Sequence, residues 1–174
     1  MTFYEETYDN FVNDFAKVLR EKIYNLELSK LIFLCIGTDK IIGDSFGPLV
    51  GYKLKKMFQN KENIEVIGTF DNIISMQNIS NIINNIYSSF EEPFVIAIDA
   101  ALSNKNETGK IIVSRKSMNI GGSFNKSSIH VGNMSIKGIV SKDLKNPKYN
   151  FKLLQNTKLR INYENGRYSI KRNI

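Results

Sequence analysis

The stretch Leu31–Pro48, which reads LIFLCIGTDKIIGDSFGP, carries the clearest signal of the fold, because it passes from an unbroken apolar run into a loop that contains several glycines. The apolar run predicts a buried strand over 31–36, and the apolar spacing over 46–58 predicts a helix with one side facing inward. Asp44 lies between the two. This order of strand, loop and helix indicates an open α/β sheet.

A second aspartate, Asp99, ends another apolar run, FVIAID over 94–99. The carboxyl ends of parallel strands form the crevice where open α/β sheets bind ligands, so we expect Asp44 and Asp99 to face one another. Two carboxyl groups held close together cannot both ionise cheaply, so one keeps its proton and acts as an acid while the other acts as a base. Such a pair can activate water against an amide carbonyl. The alternative is that Asp44 caps the helix starting near Ser45 and that Asp99 only begins a turn.

The remaining segments complete an α/β pattern. Apolar residues at spacings of three to four predict helices, and short β-rich runs predict strands. The alternation predicts a parallel or mostly parallel sheet in one domain over 1–174, with its core over about 30–160. The predicted segments are helices at 8–28, 76–87 and 146–156, strands at 64–67, 110–114 and 134–140, a long polar loop at 118–128, and a hairpin of 159–163 with 167–170.

Composition narrows the classes of function. The chain has 174 residues, 42% of them apolar and 24% charged, which suits a globular domain that needs neither disulfides nor metal to bury a core. No apolar run is long enough to cross a bilayer, and the N-terminus carries acids where a signal peptide needs basic residues, so we expect a cytoplasmic protein with no membrane partner. The net charge is +7, but the lysines are spread along the chain, so we expect no nucleic-acid partner.

Several familiar chemistries do not fit the residues present. A phosphate-binding loop needs a lysine directly after its last glycine, whereas Gly43 is followed by Asp44. Cys35 is the only cysteine and lies inside a predicted buried strand, which favours a packed hydrophobe over a nucleophile. His130, the only histidine, could complete a three-ligand metal site with Asp44 and Asp99, or be a surface polar group. We expect no metal and no cofactor.

Five blocks of sequence resemble the YyaC family of sporulation proteins. The longest block carries the glycine loop and Asp44, and a second carries Asp99. The match departs from the family pattern at Ala101, where a cysteine is common, and over 118–133, which lacks the family's prolines. The matching blocks are 33–51, 97–100, 124–126, 135–140 and 154–159.

That family is similar to the spore germination protease, an aspartic-type endopeptidase, and more distantly to the peptidases that mature nickel-iron hydrogenases. The resemblance implies a three-layer α/β/α sandwich with a twisted, mostly parallel sheet. It also implies that Asp44 and Asp99 are catalytic and that the partner is a protein or peptide substrate, such as a spore protein in the forespore cytoplasm. Two alternatives for the function stay open: a non-catalytic peptide-binding sporulation factor and a metal-dependent maturation-type peptidase. A homo-oligomer also stays open. The residues expected to bind substrate are Asp39, Gly121, Gly122, Asn125 and Lys126.

Overall fold

The computed structural model describes residue 17 and the ranges 30–121, 129–157, 160–164 and 167–171. Strands and helices alternate through its first half, as the sequence predicts. The strands are β1 (Leu31–Cys35), β2 (Ile64–Ile67), β3 (Phe94–Ser103), β4 (Ile111–Ser114), β5 (Met118–Ile120), β6 (Ile129–Val131), β7 (Met134–Lys142), β8 (Arg160–Glu164) and β9 (Arg167–Lys171). The helices are α1 (Phe46–Met57), α2 (Ile79–Ser89) and α3 (Pro147–Asn156), and a 3-10 helix over Ile42–Ser45 leads into α1.

Five strands form the central sheet in the order β2-β1-β3-β7-β4. The pairs of β1 with β2, β1 with β3 and β3 with β7 are parallel, and β4 is antiparallel to β7. The mostly parallel sheet is therefore confirmed. The chain runs outward from β1 to β2 on one side and then returns to place β3 on the other side of β1. The strand order thus reverses between β1 and β3, and such a reversal is where open α/β sheets form their ligand crevice.

Alternate side chains of the strands face two separate cores. Phe33 and Cys35 of β1 pack with Phe46 at the start of α1, and Leu154 of α3 packs against the same cluster. The neighbouring residues of β1 face the opposite side, where they pack with α2 and with the β5–β6 hairpin; they are Ile32, Leu34 and Ile36. Helices cover both faces of the sheet, which confirms the three-layer α/β/α sandwich.

Most predicted segments agree with the structure, within a few residues at their ends. Helix α2 begins at Ile79 rather than near residue 76, because the preceding residues form a turn in which the Ser75 amide donates to Asn78 Oδ1 over 2.8 Å. Helix α3 begins where the Asn146 side chain accepts from the amides of Lys148 and Tyr149. The predicted hairpin is confirmed as antiparallel β8 and β9.

Two predictions need correction. The strand that carries Asp99 does not end there but continues to Ser103, because β7 pairs with it as far as the register Ser103↔Lys142. The predicted loop over 118–128 begins with strand β5, which pairs with β6 through Met118↔Val131. Strand β5 is only three residues long, too short to show a period in the sequence.

Some predictions fall outside these observations. The predicted helix over 8–28 lies outside the described residues apart from residue 17, which is helical. The single domain over 1–174 stays a prediction for the same reason. Among the described residues, no helix is both long enough and apolar enough to cross a membrane.

Candidate active site

A tight backbone loop brings Asp44 back over the end of β1. The Gly37 amide donates to the Ile74 carbonyl over 2.8 Å, and the Thr38 amide donates to the Asp44 carbonyl over 3.1 Å. Gly37 has a φ of +145°, and a Cβ atom there would lie 2.0 Å from the Asp44 carbonyl oxygen. Only glycine allows this approach, so Gly37 sets the position of Asp44.

The alternative role of Asp44 as a helix cap does not fit this loop. The residue in the cap position of α1 is Ser45, and its side chain makes no capping hydrogen bond. The Ser45 hydroxyl instead donates to the Ile42 carbonyl over 2.6 Å. Asp44 itself lies inside the 3-10 helix and is partly buried. The Asp44 carboxyl group therefore does not cap α1.

Asp99 is held within β3, not at a turn. Ala97 and Ile98, the two residues before it, pair with β1, and Asp99 itself pairs with Lys137 of β7. Its carboxylate Oδ1 accepts the amide of Ala100 over 2.7 Å. By strand alternation its side chain lies on the α2 side of the sheet, next to the strand that leads into the Asp44 loop.

Burial and like charge act on the two carboxyl groups together. Burial raises the pKa of Asp44. The pKa of Asp99 stands well above its usual range, first because of burial and then because of the Asp44 charge; the Ala100 amide and the Lys137 ammonium oppose this rise. The Asp44 charge therefore acts on Asp99 and disfavours its ionisation, whereas burial accounts for the raised pKa of Asp44.

Of the other predicted site residues, the structure describes Asp39 and Gly121. Asp39 is exposed on the same loop, with its Oδ1 3.5 Å from Thr38 Oγ1. Gly121 is partly buried just after β5 and has a φ of +87°. The other predicted substrate-binding residues lie outside the described residues; they are Gly122, Asn125 and Lys126. A substrate-binding role for this set stays a prediction.

His130 does not join the aspartates. It is exposed in β6, opposite Asn119, and its Nδ1 lies 3.4 Å from Ser117 Oγ. Among the described residues, no three His, Cys, Asp or Glu side chains are grouped closely enough to hold a metal ion. The metal set of His130 with the two aspartates is therefore not assembled.

Cys35 is packed rather than reactive. It is buried at the end of β1, and burial raises the pKa of its thiol to about 12. A thiol with so high a pKa is a poor nucleophile at neutral pH. The interpretation of Cys35 as a core residue is confirmed.

One charged neighbour of the pair has no signal in the sequence. Lys137 is opposite Asp99 in the parallel β3–β7 register, so the two side chains lie on the same face of the sheet. Their positions are 38 residues apart in the chain, and no spacing links them. Only the pairing of β3 with β7 shows that the Lys137 ammonium lies beside Asp99.

Comparison with known proteins gives three matches. The model of the family described as "Protein of unknown function (DUF1256)" matches residues 3–168. The uncharacterized protein YyaC of Bacillus subtilis (strain 168) is 35% identical over 131 residues, which is 75% of this chain and 62% of YyaC. This chain thus covers less than two thirds of that relative. The crystal structure of the nickel-iron hydrogenase maturation protease HycI from Thermococcus kodakarensis KOD1 superposes with a TM-score of 0.47 and 14% identity, over 79% of this chain and 99% of that one.

Proposed function

This chain belongs to the DUF1256 family, as its resemblance to YyaC indicated, and we propose that it is a peptidase in which Asp44 and Asp99 activate water. The proposed substrates are proteins of the bacterial spore. The observation that carries the proposal is the carboxyl pair at the reversal of strand order between β1 and β3.

The difference between the two carboxyl groups assigns their roles. Asp99 has the more strongly raised pKa and keeps its proton, whereas Asp44 is ionised more readily. Asp44 then accepts a proton from water as the oxygen attacks the amide carbon, and Asp99 donates its proton to the carbonyl oxygen. Asp44 then passes the proton that it took from water to the amide nitrogen, and a hydroxyl group of the tetrahedral intermediate returns a proton to Asp99 as the carbonyl re-forms and the C–N bond breaks. The products are a carboxylic acid and an amine, and both aspartates regain their starting states.

Lys137 tunes this pair without joining the chemistry. Its ammonium lowers the pKa of Asp99 against the combined effects of burial and Asp44. A carboxyl group whose pKa rose without limit could not release its proton within the catalytic cycle. Lys137 is therefore proposed as a positioning residue that limits the rise in the pKa of Asp99, so that Asp99 can release its proton during catalysis.

The test is cleavage of spore-extract proteins, measured by mass spectrometry. The native chain is compared with Asp44→Asn, Asp99→Asn and Asp143→Asn, the last of which changes a carboxylate on the loop after β7. Each variant is first shown by circular dichroism to stay folded. We expect the native chain and Asp143→Asn to give the same new peptides and the two dyad variants to give none.

Two results would count against the proposal. If all four proteins release the same peptides, the activity does not depend on the dyad. If none does so in metal-free buffer or with added nickel or zinc, the peptidase proposal gives way to a peptide-binding role without chemistry.

A further inference from the structure

A groove of about 430 Å³ runs along β2, separate from the carboxyl pair. Strand β2 forms one side of the groove and the end of α1 with the residues after it forms the other. Ile64 and Val66 supply apolar surface, and Phe58 adds a ring that stacks on Phe33 with centroids 5.7 Å apart. The residues that line the groove include Lys55, Phe58, Lys61, Val66 and Thr69.

The groove exposes the unpaired edge of the central sheet. Strand β2 pairs with β1 on one side, and among the described residues no strand pairs with it on the other. The Leu31 amide donates to the Asn63 carbonyl just before β2, so the alternation of a parallel ladder turns the N–H and C=O of Val66 away from β1. An open edge of this kind is a template for an added strand.

The charges along the groove are mainly positive. Lys55 and Lys61 line it, together with the single acid Glu65. The Glu65 carboxylate lies 3.8 Å from the Lys30 ammonium, which offsets its charge. Among the described residues that line the groove, two lysines therefore accompany one acid that is already paired with Lys30, which favours a segment with acidic side chains.

Thr69 provides a further sign that the groove is incomplete as it stands. Thr69 lines the groove and is 3% exposed, and its buried hydroxyl has no hydrogen-bond partner among the residues that the structure describes. Buried polar groups in proteins nearly always have a partner. The hydroxyl lies just beyond β2, where the end of an added strand would come.

We propose that this groove binds an extended acidic polypeptide segment, which adds to the sheet as a strand beside β2. Backbone hydrogen bonds to Val66 supply the register, and Lys55 and Lys61 select acidic side chains. A second copy of the chain fits less well, because it would bring the same lysines against one another on a protein of net charge +7. The inference does not depend on the peptidase proposal, since it concerns binding at a different edge of the sheet.

The test measures fluorescence anisotropy of a labelled octapeptide of alternating valine and glutamate. Two comparison peptides carry lysine in place of glutamate, or methyl groups on alternate backbone nitrogens. We expect the full chain to bind the acidic peptide at least tenfold more tightly than either comparison peptide. N-methylation removes the donors of a β-ladder without changing the charge, so it separates strand addition from simple charge attraction.

Protein variants locate the site. Lys55→Glu and Lys61→Glu should each weaken binding of the acidic peptide about tenfold or more, while Lys53→Glu, an exposed residue of α1 outside the groove, should change it less than twofold. Val66→Pro should abolish binding because it removes an outward N–H and adds a ring at the edge. If that variant does not fold, the N-methylated peptide still tests the backbone contact.

Three outcomes would overturn the inference. One is equal affinity for the acidic and basic peptides, and another is unchanged affinity for the N-methylated peptide. The third is a dimer in sedimentation equilibrium that Val66→Pro dissociates, which would assign the edge to a second copy of the chain.

Discussion

Two regions of this molecule place acids beside parallel strands of the sheet, and their electrostatics are opposite. At the β1–β3 crevice, burial raises the pKa of Asp44 and Asp99, and the Asp44 charge raises that of Asp99 further. On the loop after β7, the pKa of Asp143 is lowered, first by the Asn150 side-chain amide and then by the Lys145 backbone amide. Those donors lie 2.7 and 2.8 Å from its Oδ1.

The difference shows that position at a strand end does not decide what a carboxyl group does. Asp143 is solvated and has two donors, so its ionised form is favoured. Asp99 is buried and has a like charge nearby, and its hydrogen bond from the Ala100 amide does not offset these effects, so its ionised form is disfavoured. The first arrangement stabilises a loop, whereas the second stores the electrostatic strain expected of a functional site.

The largest expected effect comes from Gly37→Ala. The new Cβ would lie 2.0 Å from the Asp44 carbonyl oxygen in a backbone conformation that alanine rarely adopts. We expect the free energy of unfolding to fall by about 3 kcal/mol and Asp44 to move away from Asp99. Urea unfolding measures the first effect, and the pKa of Asp99 measures the second.

Gly51→Ala is the matched control for that variant. Its Cβ would lie 2.0 Å from the Gly68 carbonyl oxygen, an equally close contact that does not involve the Asp44 loop. We expect it to destabilise the chain while leaving the pKa of Asp99 raised. Equal effects of both variants on Asp99 would show that Gly37 has no special role in placing Asp44.

Asp99→Asn should stabilise the fold at neutral pH. Because the pKa of Asp99 is raised in the folded state, that state holds a proton which the unfolded chain has released, and stability falls as pH rises from the ordinary Asp pKa through the raised one. Asparagine keeps an acceptor for the Ala100 amide and removes this loss. We expect a gain of about 1 kcal/mol in urea unfolding at neutral pH, vanishing in acid. A loss of stability at neutral pH would contradict a protonated, strained Asp99.

Lys137→Met should raise the pKa of Asp99 further, by less than the effect of burial. The change removes the ammonium that lowers this pKa and keeps an unbranched side chain of similar length. The measurement is the NMR titration of the Asp99 carboxyl group. Lys142→Met, an exposed change at the end of β7, is the control and should leave the titration unchanged. If the two variants behave alike, the register contact with Lys137 has no electrostatic role.

Asp143→Asn should have the smallest effect, opposite in sign to that of Asp99→Asn. The lowered pKa of Asp143 contributes stability that is present above the ordinary Asp pKa and is lost as pH falls through the lowered one. We expect a slightly lower melting temperature at neutral pH and no difference from the native chain in strong acid. Calorimetry across that range measures both, and an increase at neutral pH would remove the contrast between the two regions.

The sequence predicts the local part of the site and misses its long-range part. The apolar run before Gly37 and the glycines around Asp44 suffice to predict a strand-end loop, because both signals lie within a few residues. The continuation of β3 past Asp99 depends on β7, which begins 35 residues later. The same pairing brings Lys137 beside Asp99. The sequence around Asp99 therefore indicates neither that Asp99 lies within a strand nor that a lysine lies next to it.

The sequence also does not predict whether the pKa of each carboxyl group is raised or lowered. Asp99 lies between apolar residues and Asp143 has lysines close to it on both sides, but these neighbours do not reveal which donors and charges each carboxyl group meets in the fold. The donors to Asp143 are the Lys145 amide in the turn before α3 and the side-chain amide of Asn150 within α3, seven residues away. The pKa shifts of the two carboxyl groups differ first because Asp99 is buried, and then because the donors and charges near each group differ; all of these depend on packing between distant segments.

The most direct test of the carboxyl pair is the carbon-13 NMR titration of the Asp99 carboxyl group in the native chain and in Asp44→Asn. We expect the pKa of Asp99 to lie well above the ordinary Asp range in the native chain, to fall when the Asp44 charge is removed, and still to stay raised by burial. An ordinary pKa of Asp99 in the native chain, or a raised one that Asp44→Asn leaves unchanged, would contradict the electrostatic link between the two aspartates.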